Sequence, residues 1–312
     1  MGEEVLYDMV IVGSGPAGLS AALYAGRARL NTVILERAII GGELMNRDMI
    51  ENLPGYPEGI YGPDLASRLV KQVKNLGVKF EIAEVTGIET DGLCRIIETT
   101  EGRYWGKTIL LACGAHHKTL GIPGEDRFAN RGVFYCATCD GPAYAERKVA
   151  VVGGGDSGLT EALFLSKIGA KVIIMERLPH LPAQRVLQER VRLDPNVIEI
   201  RCNTEVEAIY GDEWVKAVEV LDVKTGRKEV LEVDGILIRI GLEPNTEPFK
   251  GKIDLDNLGR IRVDQRMETS MKGVFAAGDI RSGSAGQIVT AMGDGATAAI
   301  EIQRTLQSTS RF

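Results

Sequence analysis

The sequence predicts an α/β protein built on two βαβ units, each a short parallel sheet covered by helices, and three observations point there. The first is an internal repeat: Gly13, Gly15, Gly18, Leu19, Ala22 and Leu23 return 140 positions later as Gly153, Gly155, Gly158, Leu159, Ala162 and Leu163. The second is that each copy has the same surroundings. Val10-Ile11-Val12 stands before the first and Ala150-Val151-Val152 before the second, while Glu36-Arg37 and Glu176-Arg177 close them. The third is ordinary globular composition, 44% hydrophobic and 26% charged over 312 residues, enough chain for about two domains of roughly 150 residues.

In chain order, Met9 to Val12 reads as an apolar strand, Pro16 to Arg29 as an amphipathic helix, and Thr32 to Leu35 as a second strand. Gly62-Pro63-Asp64 opens a helix whose apolar face is Leu65, Leu69, Val73 and Leu76, with Gly77 as its stop. Arg95 to Thr99, a turn at Glu101-Gly102, and Tyr104 onward form a hairpin leading into the strand Thr108 to Ala112. The second βαβ unit follows. A further hairpin turns at Lys224 to Arg227 and precedes the strand Gly235 to Ile240, and Gly273 to Asp279 is a small-residue strand ending in Gly-Asp. A final helix runs from about Gln287 to Leu306. Nothing of low complexity separates the halves, so the chain is expected to cross between them near Lys118 and Leu242.

The chemistry starts at the glycines. In a strand–glycine turn–helix unit, glycines let the backbone approach a pyrophosphate, the helix N-terminus offers N–H groups, and an acid about 20 residues on receives ribose hydroxyls. Gly13, Ser14, Gly15, Pro16, Ala17 and Gly18 with Glu36 make one such dinucleotide site; Gly153, Gly155, Asp156, Ser157 and Glu176 make the second. The alternatives are glycine turns that only pack, and glutamates that only cap strands. Tyr135-Cys136-Ala137-Thr138-Cys139-Asp140 supplies a CxxC, whose sulfurs lie within disulfide reach at the start of a helix. Zinc would need more ligands, and there is no second CxxC. His116, His117 and His180 lack ligand spacing, so no metal is expected. Asp140 is a candidate acid/base for thiol–disulfide exchange, or else a turn-forming Asp-Gly.

Composition excludes other classes. With 37 Lys+Arg against 43 Asp+Glu, a formal charge of −6 and no block of like charge, nucleic acid has no electrostatic footing. No apolar run approaches the roughly 18 residues of a membrane span, Met1 to Asp8 lacks a signal-peptide pattern, and five cysteines are too few for a disulfide scaffold. A cytoplasmic setting with a redox-active cystine is the expectation. Two dinucleotide sites and one cysteine pair then suggest electrons passing from a nicotinamide through a flavin to a disulfide.

At these residues the chain resembles the low-molecular-weight thioredoxin reductases along nearly its whole length. Beyond the two fingerprints, the resemblance is carried by Gly41-Gly42-Glu43-Leu44, Glu51 to Gly55, Ala112-Cys113-Gly114-Ala115, the CxxC with Asp140, Ile240-Gly241 with Pro244-Asn245-Thr246, and Ala277-Gly278-Asp279. It implies two Rossmann-like three-layer dinucleotide-binding domains, the second inserted into the first: an FAD domain of residues 1–118 and 243–312, and a pyridine-nucleotide domain of residues 119–242 carrying the CxxC. It implies FAD held by the first fingerprint, Glu36 and Arg37, by Gly41 to Leu44 and Asn52, by Val85, Cys113 and Gly114, and by Gly278, Asp279, Gln287 and Ile288. Arg177, Ile240 and Gly241 would join the second fingerprint in holding NADH or NADPH. It further implies a homodimer, Cys139 as the sulfur nearer the flavin, and a rotation of the inserted domain about hinges near Lys118 to Leu120 and Leu242 to Asn245.

Some positions depart from the family pattern. Cys113 replaces a frequent threonine and reads as a small packed residue, Cys94 and Cys202 read as inert core positions, and Gly286 stands where relatives carry arginine. After Met175, NADPH-using relatives have a histidine and paired arginines with another arginine downstream. Here the run is Glu176-Arg177-Leu178-Pro179-His180-Leu181-Pro182, which favours NADH. The expected activity is reduction of a thioredoxin-type disulfide. The alternatives are another dithiol carrier, glutaredoxin-like or of a peroxiredoxin system, and a flavoprotein reductase or redox sensor with a non-nicotinamide donor.

Overall fold

In the computed structural model, which describes residues 5–92 and 94–309, contacts divide the chain into two compact units. One comprises residues 1–116 and 243–312, and the other residues 117–242. Residues 1–4, Leu93 and 310–312, which fall within the expected flavin-binding stretches, lie outside the described residues.

The discontinuous unit is organised by the strand Leu6–Val12. It pairs in parallel with Thr32–Glu36 on one side and Arg103–Leu111 on the other. Lys79–Ile82 extends the sheet beyond Thr32–Glu36, Val274–Ala276 joins Arg103–Leu111 in parallel, and Cys94–Thr99 and Val85–Asp91 add antiparallel strands. Successive side chains of a strand point to opposite faces, and both faces of the central strands are covered, so their buried stretches Met9–Val12, Val33–Leu35, Ile109–Leu111 and Val274–Ala276 are apolar. Met9, Ile11, Ile34, Leu110 and Phe275 face the helices Pro16–Arg27, Gly62–Lys74 and Ile288–Thr309 through Leu19, Leu65, Leu69 and Ile302. Val10, Val12, Val33, Leu35, Ile109 and Leu111 pack on the other face against Ile88, Ile97, Phe249 and Ile261.

The contiguous unit repeats the plan. Its five-stranded parallel sheet runs in the order Val133–Phe134, Gly235–Ile238, Lys148–Val152, Lys171–Met175, Val197–Arg201. Val149, Val151, Val172, Ile174 and Leu237 face Leu159, Ala162 and Leu165 of the helix Asp156–Lys167. Ala150, Val152, Ile173, Met175, Ile236 and Ile238 face the antiparallel layer formed by Thr204–Gly211, Val215–Asp222 and Lys228–Glu232. Each unit is therefore a three-layer α/β structure.

Several boundaries differ from the pattern-based expectation: the last helix runs from Ile288 to Thr309, and the small-residue strand is confined to Val274–Ala276. The first helix ends at Arg27, because Arg29 takes a left-handed φ of 58° and the N–H of Leu30 turns back to the Ala25 carbonyl, a helix-closing arrangement. The strand from Gly235 stops at Ile238 as the chain swings toward Gly241, at φ 115°. The opening strand starts at Leu6, where pairing with Trp105 lengthens it beyond the apolar run. Among the described residues, no helix is long and apolar enough to cross a membrane.

Candidate functional site

The two glycine turns are built alike to within tenths of an ångström. Gly13 and Gly153 adopt φ of 102° and 117°, and a Cβ on either would stand 2.4 Å from the Ala112 carbonyl oxygen or 2.2 Å from that of Arg239. Only glycine meets both conditions. A Cβ on Gly18 would lie 1.9 Å from the Gly13 carbonyl oxygen, and one on Gly158 the same distance from that of Gly153. These glycines seat each helix on its strand. At Gly15 and Gly155 a Cβ would meet nothing within 4 Å, so both turns present backbone to open space at a helix N-terminus. That is the cradle a pyrophosphate requires.

The acid of each unit is also placed alike. Glu36 Oε2 accepts from the Ser14 N–H at 2.9 Å and from the Ser14 hydroxyl at 2.6 Å, and Oε1 from the Ala38 N–H at 3.1 Å. Glu176 Oε2 accepts from the Gly154 N–H at 2.7 Å and Oε1 from the Leu178 N–H at 2.9 Å. Each carboxylate bridges the glycine turn and the chain beyond its own strand, the place where a ribose would arrive. Arg37 and Arg177 instead point outward, toward Glu84 at 4.0 Å and Glu205 at 3.5 Å. Asp156 receives the N–H and side-chain amide of Gln184 at 2.7 and 2.6 Å, beside an exposed Ser157.

Around the first turn the discontinuous unit gathers most of the remaining candidates. The Gly41 N–H donates to the Ser14 hydroxyl at 3.0 Å, and a Cβ on Gly42 would lie 3.1 Å from the Gly15 Cα, which brings the Gly41–Leu44 turn alongside the fingerprint. Leu44 is buried in the helix-side core and Glu43 is exposed on the same turn. Gly278 lies against Ala17, 3.1 Å from Cβ to Cβ were it substituted. Its N–H donates to Asp294, which also pairs with Arg281, and Asp279 accepts from the Ser284 hydroxyl at 3.0 Å. Asn52 donates to the Gln287 side chain at 2.9 Å, joining positions far apart in sequence next to Ile288, the first residue of the last helix. Asn245 donates to the Cys113 carbonyl at 2.7 Å and to that of Gly114 through its backbone. Desolvation, with the Glu36 charge adding to it, pushes the Cys113 thiol up to about 12. Val85 starts an antiparallel strand, directly after Glu84, the partner of Arg37.

The redox pair sits in the contiguous unit. The strand Val133–Phe134 delivers Cys136 in an extended conformation, and Ala137–Asp140 follows as one helical turn. Cys136 and Cys139 form a disulfide with Cα atoms 5.4 Å apart, and the Cys139 N–H points at Cys136 Sγ, 3.2 Å away. Asp140 follows directly, and partial desolvation raises its carboxyl above the ordinary range. Ile240 and Gly241 close the same unit, with the Gly241 carbonyl receiving the Lys118 N–H. Cys94 and Cys202 are partly buried and unpaired with each other, and no group of metal-ligating side chains occurs among the described residues.

Sequence reasoning missed two residues beside the disulfide. The Ala137 N–H donates to Glu161 at 2.9 Å, and Glu161 pairs with Arg239, whose Nη1 donates to the Tyr135 carbonyl at 3.0 Å. The signal was present: a glutamate on the apolar face of a helix, and an arginine inside the run Ile236 to Ile240.

A family model described as pyridine nucleotide-disulphide oxidoreductase matches residues 7–295. The chain is 42% identical over 296 residues to a thioredoxin reductase of Treponema pallidum, covering 95% of this chain and 96% of that one. It is 37% identical over 308 residues to a thioredoxin reductase of Bacillus subtilis, covering 98% and 97%. Among solved structures it is similar to the thioredoxin reductase of Lactococcus lactis, with a TM-score of 0.93, 40% identity, and 97% and 99% of the two chains covered.

Proposed function

The chain belongs to the pyridine nucleotide-disulphide oxidoreductase family as a low-molecular-weight thioredoxin reductase, an FAD-dependent oxidoreductase, and from that membership we propose how its residues divide the work. FAD belongs in the discontinuous unit, with its pyrophosphate over Gly13 to Gly18, its adenosine ribose at Glu36, and its flavin side near Gly41 to Leu44, Asn52, Asp279 and Gln287. The nicotinamide nucleotide belongs at Gly153 to Gly158 and Glu176. When bound, FAD supplies the two-electron relay between nicotinamide and disulfide. The overall balance is NADH and one proton plus a thioredoxin disulfide, giving NAD+ and the thioredoxin dithiol.

Cys136 and Cys139 are the chain's own electron carriers. Reduction breaks their S–S bond and adds two electrons and two protons. One sulfur, as thiolate, then attacks the thioredoxin disulfide to make a mixed disulfide, and the other resolves it, re-forming Cys136–Cys139 and releasing the dithiol. Asp140, next to the pair and with its carboxyl raised, holds and returns the proton these steps move. The observation that carries this reading is the Cys136–Cys139 disulfide in the same unit as the second glycine cradle.

The preferred donor is NADH. Glu176 copies the arrangement of Glu36, where a free ribose is the expected guest, and Arg177 leans toward Glu205. A 2′-phosphate beside Glu176 meets repulsion of about 1–3 kcal/mol, roughly 5- to 150-fold in affinity. Leu178, Pro179 and Pro182 replace donors found in NADPH-using relatives, and proline has no N–H to offer instead. The test is kcat/KM for both nucleotides with thioredoxin, in wild type and Glu176→Ala. NADH preference that falls in the variant supports the reading; a wild type that prefers NADPH overturns it. The working form is a cytoplasmic homodimer, to be checked by sedimentation of the FAD-loaded protein.

A further inference from the structure

Two charges lie where the apolar pattern of the contiguous unit has no place for them. Arg239 follows the strand Gly235–Ile238, and Glu161 stands on the helix Asp156–Lys167 among Leu159, Ala162 and Leu165. Their side chains are 3% and 10% exposed and pair directly. Burying either charge alone is costly, so each stays only because the other is there.

The pair does more than neutralise itself. Glu161 Oε2 accepts from the Ala137 N–H at 2.9 Å, and Arg239 Nη1 donates to the Tyr135 carbonyl at 3.0 Å. Tyr135 and Ala137 are the chain neighbours of Cys136, so the pair grips the backbone on both sides of one redox sulfur. Nη1 also lies 2.9 and 2.7 Å from the two ring nitrogens of His117, whose ring is parallel to that of Tyr135 within 3°. The charged or titratable groups around the Cys136 turn in this unit include Asp140 on the turn itself, Glu161, Arg239, His117 and Tyr135, together with Glu125, which accepts from the Tyr135 hydroxyl at 2.6 Å, and Tyr144, which feels the Asp140 charge.

We propose that Glu161 and Arg239 are positioning residues of the redox disulfide: a buried, mutually neutralising pair that fixes the backbone flanking Cys136 and whose charge balance sets how readily the reduced cysteines yield a thiolate. One unbalanced, buried charge bonded to the backbone on either side of Cys136 acts on the ionisation of that sulfur. Loss of Arg239 leaves a carboxylate that opposes the thiolate. Loss of the Glu161 charge leaves a guanidinium that favours it. A purely structural role predicts no such opposition of sign.

The test uses the FAD-loaded enzyme, reduced with dithiothreitol, desalted anaerobically and pulsed with iodoacetamide from about pH 5 to about pH 10, a range that spans perturbed and ordinary thiols. Fragment mass spectrometry reads Cys136 and Cys139 separately. Arg239→Met is expected to raise the midpoint of alkylation by on the order of one pH unit, Glu161→Gln to lower it by a similar amount, and the double variant to return near wild type. Arg239→Lys keeps the charge and leaves the midpoint in place. Unmoved midpoints, or single variants that move together, overturn the proposal. Should Arg239→Met not fold, Glu161→Gln decides with Arg239→Lys: a midpoint that fails to fall in the former, or that moves in the latter, overturns it. The inference rests on Cys136–Cys139 as the redox pair. Alkylation is read without turnover, so fixed midpoints count against the inference alone, whereas full activity in both single cysteine variants counts against the redox pair itself.

Discussion

At the scale of single residues, the proposed chemistry rests on two sulfurs and one carboxyl. Cys136→Ser or Cys139→Ser removes one half of the carrier, so thioredoxin reduction is expected to fall to background while anaerobic bleaching of the flavin by NADH persists, followed by its visible absorbance. Retained thioredoxin reduction in both variants would show that another pair carries the electrons. Asp140 makes a pH-dependent prediction. Its carboxyl is raised by desolvation, so in the folded protein the neutral acid persists to higher pH than for an ordinary aspartate. The sign follows: as pH climbs through the raised folded pKa, the proton needed by the leaving thiolate is lost, and the carboxylate that forms weakens the fold relative to the neutral acid. Asp140→Asn is therefore expected to slow disulfide exchange by about 100-fold or more and to abolish the corresponding limb of the pH–rate profile, without loss of thermal stability at neutral pH. A variant that loses stability in step with activity would mark Asp140 as a structural turn residue.

At the scale of elements, the duplicated βαβ units invite paired experiments. A methyl group at Gly18 or Gly158 would sit 1.9 Å from a backbone carbonyl oxygen, which cannot swing away as a side chain tip can. Each alanine substitution should force the helix off its strand at a cost of about 1–3 kcal/mol, but with separate consequences. Gly18→Ala is expected to lower the FAD content of the purified protein, and Gly158→Ala to raise the KM for NADH with FAD content preserved. Equal loss of flavin in both would deny the division of labour between the cradles. These units were legible because everything that defines them is local: an apolar run, glycines at fixed spacing, and an acid at the end of the next strand. What pattern reading could not reach is long-range pairing. Nothing near Cys136 in sequence announces Glu161 or Arg239, nothing near Asn52 announces Gln287, and Asn245 meets Cys113 only after the chain has returned from the contiguous unit. Boundaries failed for a related reason. Arg29 ends its helix through a left-handed turn that carries no glycine, and the strand from Gly235 gives way to a turn through Gly241 at φ 115°.

At the scale of the whole molecule, the two units differ in how the chain makes them. Residues 117–242 form one continuous stretch with two apolar clusters of their own, whereas the other unit is assembled from two stretches, with Val274–Ala276 and the last helix packing onto the sheet begun by Leu6–Val12. If FAD occupies only the discontinuous unit, its binding free energy stabilises only that unit. At a free concentration of about 100 times Kd, the stabilisation is about 2.7 kcal/mol. For a unit of 150–250 residues this corresponds to roughly 5–10 °C in Tm. Removing FAD should lower one calorimetric transition by that amount and leave the other in place. Hydrogen exchange of the holo and apo proteins assigns them: peptides spanning Met9 to Val12 should lose protection and peptides spanning Val149 to Val152 should keep it. Loss confined to the peptides spanning Val149 to Val152, with those spanning Met9 to Val12 kept, would overturn the assignment of cofactor to unit. NADH added to the holoenzyme is expected to act in the opposite sense, protecting the strand Lys148–Val152 and the helix Asp156–Lys167, because the proposed cradle, residues 153–158 with Glu176, Arg177, Ile240 and Gly241, belongs to the contiguous unit.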